Sequence, residues 1–158
     1  MAEREHGPNY VWFMNGATRL DGTGLELAPD VHWRIVGVGD FNGDGKPDLV
    51  WRNVVTGENR LWYLQGVTKS AEAALPADPD VNWQIVEVGD MNGDRKLDLI
   101  WRHATTGANR VWYLGYDAAT PNTPTKTGES AVTPLTTTTW VLGTGPVWPC
   151  EHGDRRSV

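Results

Sequence analysis

Asp40-Phe41-Asn42-Gly43-Asp44-Gly45-Lys46-Pro47-Asp48, followed at once by Leu49-Val50-Trp51-Arg52, is the stretch whose reading decides the fold. Side-chain oxygens fall at its first, third, fifth and ninth positions: Asp40, Asn42, Asp44 and Asp48. The main-chain carbonyl of Lys46 falls at the seventh. Hard oxygen donors this dense repel one another unless a cation sits among them, and calcium, which takes six to eight oxygens, is the cation that suits them. Fifty residues on, the stretch recurs as Asp90-Met91-Asn92-Gly93-Asp94-Arg95-Lys96-Leu97-Asp98, followed by Leu99-Ile100-Trp101-Arg102. Asp90, Asn92, Asp94, the Lys96 carbonyl and Asp98 repeat the donor set, so two calcium sites are expected.

Working outward, residues 31–64 align with 81–114 without a gap, at 22 identities in 34 positions. A repeat of about 50 residues points to a propeller, a solenoid or an array. Within each copy the pattern is one of short strands. Trp33 to Gly39 runs into the acidic loop, Asp48 to Asn53 leaves it, and Arg60 to Leu64 follows the turn signal Thr56-Gly57-Glu58-Asn59. A weaker fourth segment spans Val67 to Leu75, within which Ser70 to Leu75 is compatible with a turn of helix. Four strands per copy, nearly continuous in apolar content, fit an all-β propeller blade covered on both faces.

The nine tryptophans count the blades. Trp33, Trp51 and Trp62 recur as Trp83, Trp101 and Trp112, leaving Trp12, Trp140 and Trp148. Asn9 to Thr18 lines up with Asn59 to Thr68, so 9–30 reads as the third and fourth strands of a blade. Trp140 to Gly145 resembles a first strand and Val147-Trp148 a second, so 139–158 reads as the other half of that blade. Residues 31–80 and 81–130 are the complete blades, and the whole chain is one propeller domain. In the complete copies the first two tryptophans stand 18 apart (51 − 33 and 101 − 83), but Trp140 and Trp148 only 8, so the acidic loop is missing there. Residues 117–139, rich in Thr, Pro and Ala, read as a fourth strand with an irregular extension.

Rival readings of the loop fail or weaken on spacing. An EF-hand needs a bidentate Glu at its twelfth position, where this chain has Trp51 and Trp101. Magnesium demands a stricter octahedron and keeps more water. The plain alternative is an acidic turn without metal, its aspartates capping loop amides. That alternative is stronger for the second loop, because Arg95 replaces Gly45 where a left-handed backbone is expected.

Composition narrows the function classes. A formal charge of −6 over 158 residues argues against nucleic acid, which needs a basic stripe. No apolar run approaches the roughly 18 residues that span a membrane, and Met1 to His6 lacks the hydrophobic run of a signal peptide, so such a leader is absent or removed. Cys150 stands alone and forms no internal disulfide. His6, His32, His103 and His152 share no ligand spacing, and no nucleophile motif is present; the expectation is a non-enzymatic protein.

The pattern Gly-Asp-Phe-Asn-Gly-Asp-Gly-Lys-x-Asp-Leu-Val-Trp, at 39–51, resembles the FG-GAP/VCBS repeats of integrin alpha-subunit propellers and of many extracellular microbial proteins. With Trp-Arg and Thr-Gly-x-Asn-Arg-x-Trp-Tyr-Leu it is similar to the branch containing the Psathyrella velutina-type lectin. The resemblance implies a calcium-stabilised propeller, extracellular or at the cell surface, with sugar sites on one face or between blades. Tryptophan can stack on a pyranose while polar neighbours bind hydroxyls. The candidates are Arg52, Asn59, Arg60 and Trp62, then Arg102, His103, Asn109, Arg110 and Trp112, with packing between blades as the competing role. Glycans or glycoproteins are the expected partners; the alternative is a structural or protein-adhesion module without a sugar site. Three blades are too few to close a ring, so a homo-oligomer, two chains giving six blades, or a longer parent chain is expected.

Overall fold

The computed structural model of the protein describes residues 9–26 and 30–133. The expected half blade at 139–158, with Trp140 and Trp148, lies outside the described residues. Every regular element described is a strand: β1 (Tyr10–Asn15), β2 (Thr18–Gly24), β3 (Trp33–Gly39), β4 (Asp48–Asn53), β5 (Asn59–Gln65), β6 (Thr68–Leu75), β7 (Trp83–Gly89), β8 (Asp98–His103), β9 (Asn109–Asp117) and β10 (Thr120–Val132). They form a hairpin, β1-β2, and two four-stranded antiparallel meanders, β3-β4-β5-β6 and β7-β8-β9-β10. The fold is all-β, and each meander has the strand order of a propeller blade.

The sequence period is also a period of register. Leu49 faces Trp62 and Arg52 faces Asn59 across β4 and β5; Leu99 faces Trp112 and Arg102 faces Asn109 across β8 and β9. Even the irregularity recurs, between Ile35 and Gly37 and between Ile85 and Glu87. Two corrections concern the fourth strands. Ser70 to Leu75 is extended rather than helical: buried Ala73 and Leu75 alternate with exposed Glu72 and Ala74, a period of two, and Ala73 pairs with Leu61. In the second blade the fourth strand runs 13 residues, to Val132, with register shifts before Pro124 and after Lys126. Proline has no N–H to give a ladder, which accounts for the slip before Pro124.

The sheets stack face to face. All six residues of β4 are buried, as expected for a strand covered on both sides. Trp33, Leu49, Trp51, Trp62 and Leu64 meet Val11 and Leu25 of the hairpin segment. Val50, Leu61, Tyr63, Ala73 and Leu75 meet Ile85, Leu99, Trp101, Trp112 and Leu114 of the second blade.

The 76–82 linker is locked into the junction between blades. Buried Arg52 donates from Nη1 to the Gly57 carbonyl (3.0 Å) and Asn59 Oδ1 (3.1 Å), and from Nη2 to the carbonyls of Asp78 (3.2 Å) and Asp80 (3.3 Å). Its guanidinium lies 4.8 Å from the Trp101 ring of the next blade. The Asp78 amide donates to the Gly57 carbonyl at 3.0 Å, and its carboxylate takes an ion pair from Arg110. Arg110 in turn stacks 3.9 Å over Trp83.

Candidate functional site

Both acidic loops leave the same corner of their blade, between first and second strand, and fold alike. In loop 1, Asp40 Oδ1 accepts the amides of Gly43 (2.7 Å) and Asp44 (3.1 Å), and Oδ2 accepts that of Gly45 (2.8 Å). Asn42 Oδ1 accepts the Asp44 amide (3.0 Å) and Asp44 Oδ1 the Lys46 amide (2.9 Å). Asp48, fully buried, accepts the amides of Phe41 (2.9 Å) and Leu64 (3.0 Å). Loop 2 repeats this bond for bond through Asp90, Asn92, Asp94 and Asp98, which bond the amides of Gly93, Asp94, Arg95, Lys96, Met91 and Leu114. Asp48 and Asp98 therefore do more than line the loop: each ties the loop to the third strand of its blade.

The electrostatics fit a cation. Burial pushes the Asp48 carboxyl above the usual range; the Leu64 and Phe41 amides pull it back, and Asp44 and Asp40 push it up again. A hard divalent ion would offset that mutual repulsion. The donors are all oxygens, carboxylate, amide and main-chain carbonyl; each carboxylate oxygen that accepts a single N–H keeps a second lone pair, whereas Asp40 Oδ1 and Asp90 Oδ1 each accept two. Among the described residues no three His, Cys, Asp or Glu side chains converge as a metal cluster; as they stand, the carboxylates face the loops' own amides. The donor set fits calcium by chemistry, with Asn42 and the Lys46 carbonyl completing what carboxylates alone do not.

The loops differ in their surroundings. Phe41 is buried, and its carbonyl accepts the Tyr116 hydroxyl at 2.5 Å from the second blade. Tyr63, its phenol pushed up to about 12 chiefly by burial and held protonated, donates to the Asn122 carbonyl at 2.9 Å. In loop 2 the residue matching Phe41, Met91, is exposed. Arg95 has φ 66°, the one non-glycine with positive φ among the described residues. That backbone costs a residue with a β-carbon about 1–2 kcal/mol, and glycine returns about 0.4–1 kcal/mol through the freer unfolded chain. Arg95→Gly is therefore expected to stabilise the cation-free protein by about 0.5–1 kcal/mol, read from urea midpoints in chelator; an unchanged or lower midpoint contradicts the strain.

The residues expected to bind sugar are mostly spent on packing. Trp62 and Trp112 are buried, and each ring meets its partner, Trp51 at 4.7 Å and Trp101 at 4.5 Å, rather than solvent. Arg52 and Asn59 are buried in the junction. Arg60 lies over Trp33 and pairs with Glu72 at 2.9 Å. His103 sits edge-on to Trp83 with Nε2 3.3 Å from the Asp80 carboxylate, and Arg110 holds Asp78. Arg102 is exposed, with Nη1 3.5 Å from Asn109 Oδ1. Sequence reasoning missed Asp78 and Tyr116. Asp78 stands in the linker outside the repeat, and Tyr116 falls where the repeat has Gly66, so the signal was a departure from the period.

Residues 40–101 match the family model of the FG-GAP-like repeat, a span that contains both acidic loops. Comparison with curated proteins and with solved structures found no match.

Proposed function

We propose that this chain is a calcium-stabilised β-propeller module that works by binding, not by catalysis, outside the cell where calcium is abundant. What carries the reading is the twice-built loop, in which one aspartate gathers three amides and another, buried, ties the loop to the third strand of its blade. The FG-GAP-like match over 40–101 supports the propeller-type module. Of the two binding roles, protein adhesion or scaffolding fits the geometry better at the residues first considered for sugar, because Arg52, Asn59, Trp62, Arg110 and Trp112 are occupied at the blade junction. Glycan recognition is the second reading, and it needs a surface other than theirs.

Calcium is expected to raise the unfolding midpoint, by about 2.7 kcal/mol per site at a hundredfold excess over its dissociation constant. Asp44→Asn and Asp94→Asn keep the shape of each loop while removing a charged donor. Each is expected to remove about half of the calcium-dependent shift, and the double variant nearly all of it. Thermal scans with calcium and with chelator decide the matter; a wild-type protein indifferent to calcium, or a double variant that still responds, ends the proposal.

A further inference from the structure

The junction between the two blades joins two unlike faces, and each face has an exposed counterpart elsewhere in the repeat. On the first blade's side stand Phe41, Val50, Tyr63 and Leu75, all buried; on the second blade's side stand Trp112 and Leu114. One period on from the first set come Met91, Ile100, Tyr113 and Val132, the last because it faces Asn109 as Leu75 faces Asn59. Met91 is 50% and Val132 42% exposed, and Ile100 and Tyr113 are only half-buried. Two periods back from Trp112 and Leu114 come Trp12 and Met14, 59% and 47% exposed. The β1-β2 hairpin copies the third and fourth strands of a blade in detail. Its register slips after Phe13 as that of β5 slips after Tyr63, and Arg19 lies over Trp12 as Lys69 lies over Trp62. Val11 packs toward the first blade, so by the alternation of a strand Trp12 points away from it.

We propose that these two exposed faces are the halves of one interface, in which the outer face of the hairpin in one copy of the chain seats on the far face of the second blade in another. Exposed apolar patches of this kind mark contact surfaces. Each face matches, residue by residue, a surface that the junction shows in contact with its complement, and one chain carries both, so a second copy supplies the fit. Glu87 indicates which part of that copy docks. Its counterpart is Gly37, where a β-carbon would overlap the Val88 side chain on the first strand of the next blade; Gly39 is pressed by Leu97 in the same way, whereas Gly89 has nothing beside it. A glutamate at 87 bars a neighbour whose first strand comes that close. The hairpin consists of third and fourth strands alone, so it leaves the place opposite Glu87 open. The contact is therefore heterologous, hairpin to far face, rather than like with like. A two-stranded face buries less than about 1,200 Å², the range of transient contacts. At the micromolar concentrations of an unfolding experiment the copies are apart, and Trp12 there behaves as an exposed residue.

The inference depends on neither calcium nor a ligand. The test is the mass of the full chain in solution, by sedimentation or light scattering in calcium buffer, from micromolar to millimolar concentration. The mass is expected to rise with concentration. Trp12→Glu breaks the hairpin face and Val132→Glu the far face; each is expected to weaken association by about tenfold or more. Both positions are exposed, so the urea midpoints of the dilute variants are expected to match wild type, which rules out unfolding as the cause. Mixed together, the two variants are expected to regain a one-to-one complex, because each keeps the face that the other lacks. A wild-type chain that stays single at every concentration, a variant that associates as wild type does, or a mixture that stays as separate chains overturns the proposal.

Discussion

Replacing Gly57 with alanine is expected to cost about 3–5 kcal/mol, while the same change at Gly107, fifty residues on, costs about 1–2 kcal/mol. Both glycines have positive φ, 76° and 70°, so both alanines carry the left-handed penalty. The difference lies in what stands beside them. A β-carbon on Gly57 would lie 1.8 Å from the Asp78 carbonyl oxygen, whereas on Gly107 its nearest neighbour is the flexible end of Arg102 at 3.7 Å. The Asp78 backbone would have to retreat, and with it the bonds from the Asp78 amide to Gly57 and from Arg52 to the linker carbonyls. Each is worth about 0.5–1.5 kcal/mol, more where a buried charge loses its partner. Urea denaturation of the two variants side by side checks this. Equal losses would mean that the linker is not held against the turn in solution.

The same residues mark the limit of what the sequence disclosed. The all-β strand order and the recurrence of both acidic loops were legible because each is written twice, and agreement between copies separates pattern from accident. The Gly57 close approach was not legible, because its partner Asp78 lies in the linker, which the aligned copies do not cover. Arg52 and Asn59 were left between two roles, ligand binding and packing between blades, for a related reason. Charged and amide side chains are mostly exposed, so they read as groups free to meet a ligand. Here the Asp78 and Asp80 carbonyls of the linker and the Trp101 ring of the neighbouring blade cover Arg52. A repeat shows what each blade does alike, whereas burial at a junction depends on what the blades do differently. Tyr116 tells the same story, since it clamps loop 1 from a position where the first copy has Gly66 and no hydroxyl.

Trp12, Trp62 and Trp112 hold one position in three copies of the repeat, and their alanine variants are expected to differ sharply. Trp62→Ala and Trp112→Ala should each cost about 3–5 kcal/mol, the range for a large aromatic removed from a core. Both rings are nearly inaccessible, each stacks on a second tryptophan, and each lies under a lysine, Lys69 at 4.4 Å and Lys126 at 4.1 Å. The Trp62 indole N–H has no hydrogen-bond partner among the described residues, so Trp62→Phe should recover much of the loss: the ring contact remains and no bond is given up. Trp12 is 59% exposed and touched by Arg19 at 5.2 Å, and Trp12→Ala should cost less than about 1 kcal/mol. Urea midpoints for the three variants, each at two protein concentrations, provide the measurement. The Trp12 value carries the most information about assembly. A loss matching that of Trp62 would mean that the outer face of the β1-β2 hairpin is covered in solution, as a closed propeller requires. If that loss shrank on dilution, the cover would come from a second copy of the chain, because dilution separates the wild-type copies and leaves Trp12 exposed in both proteins.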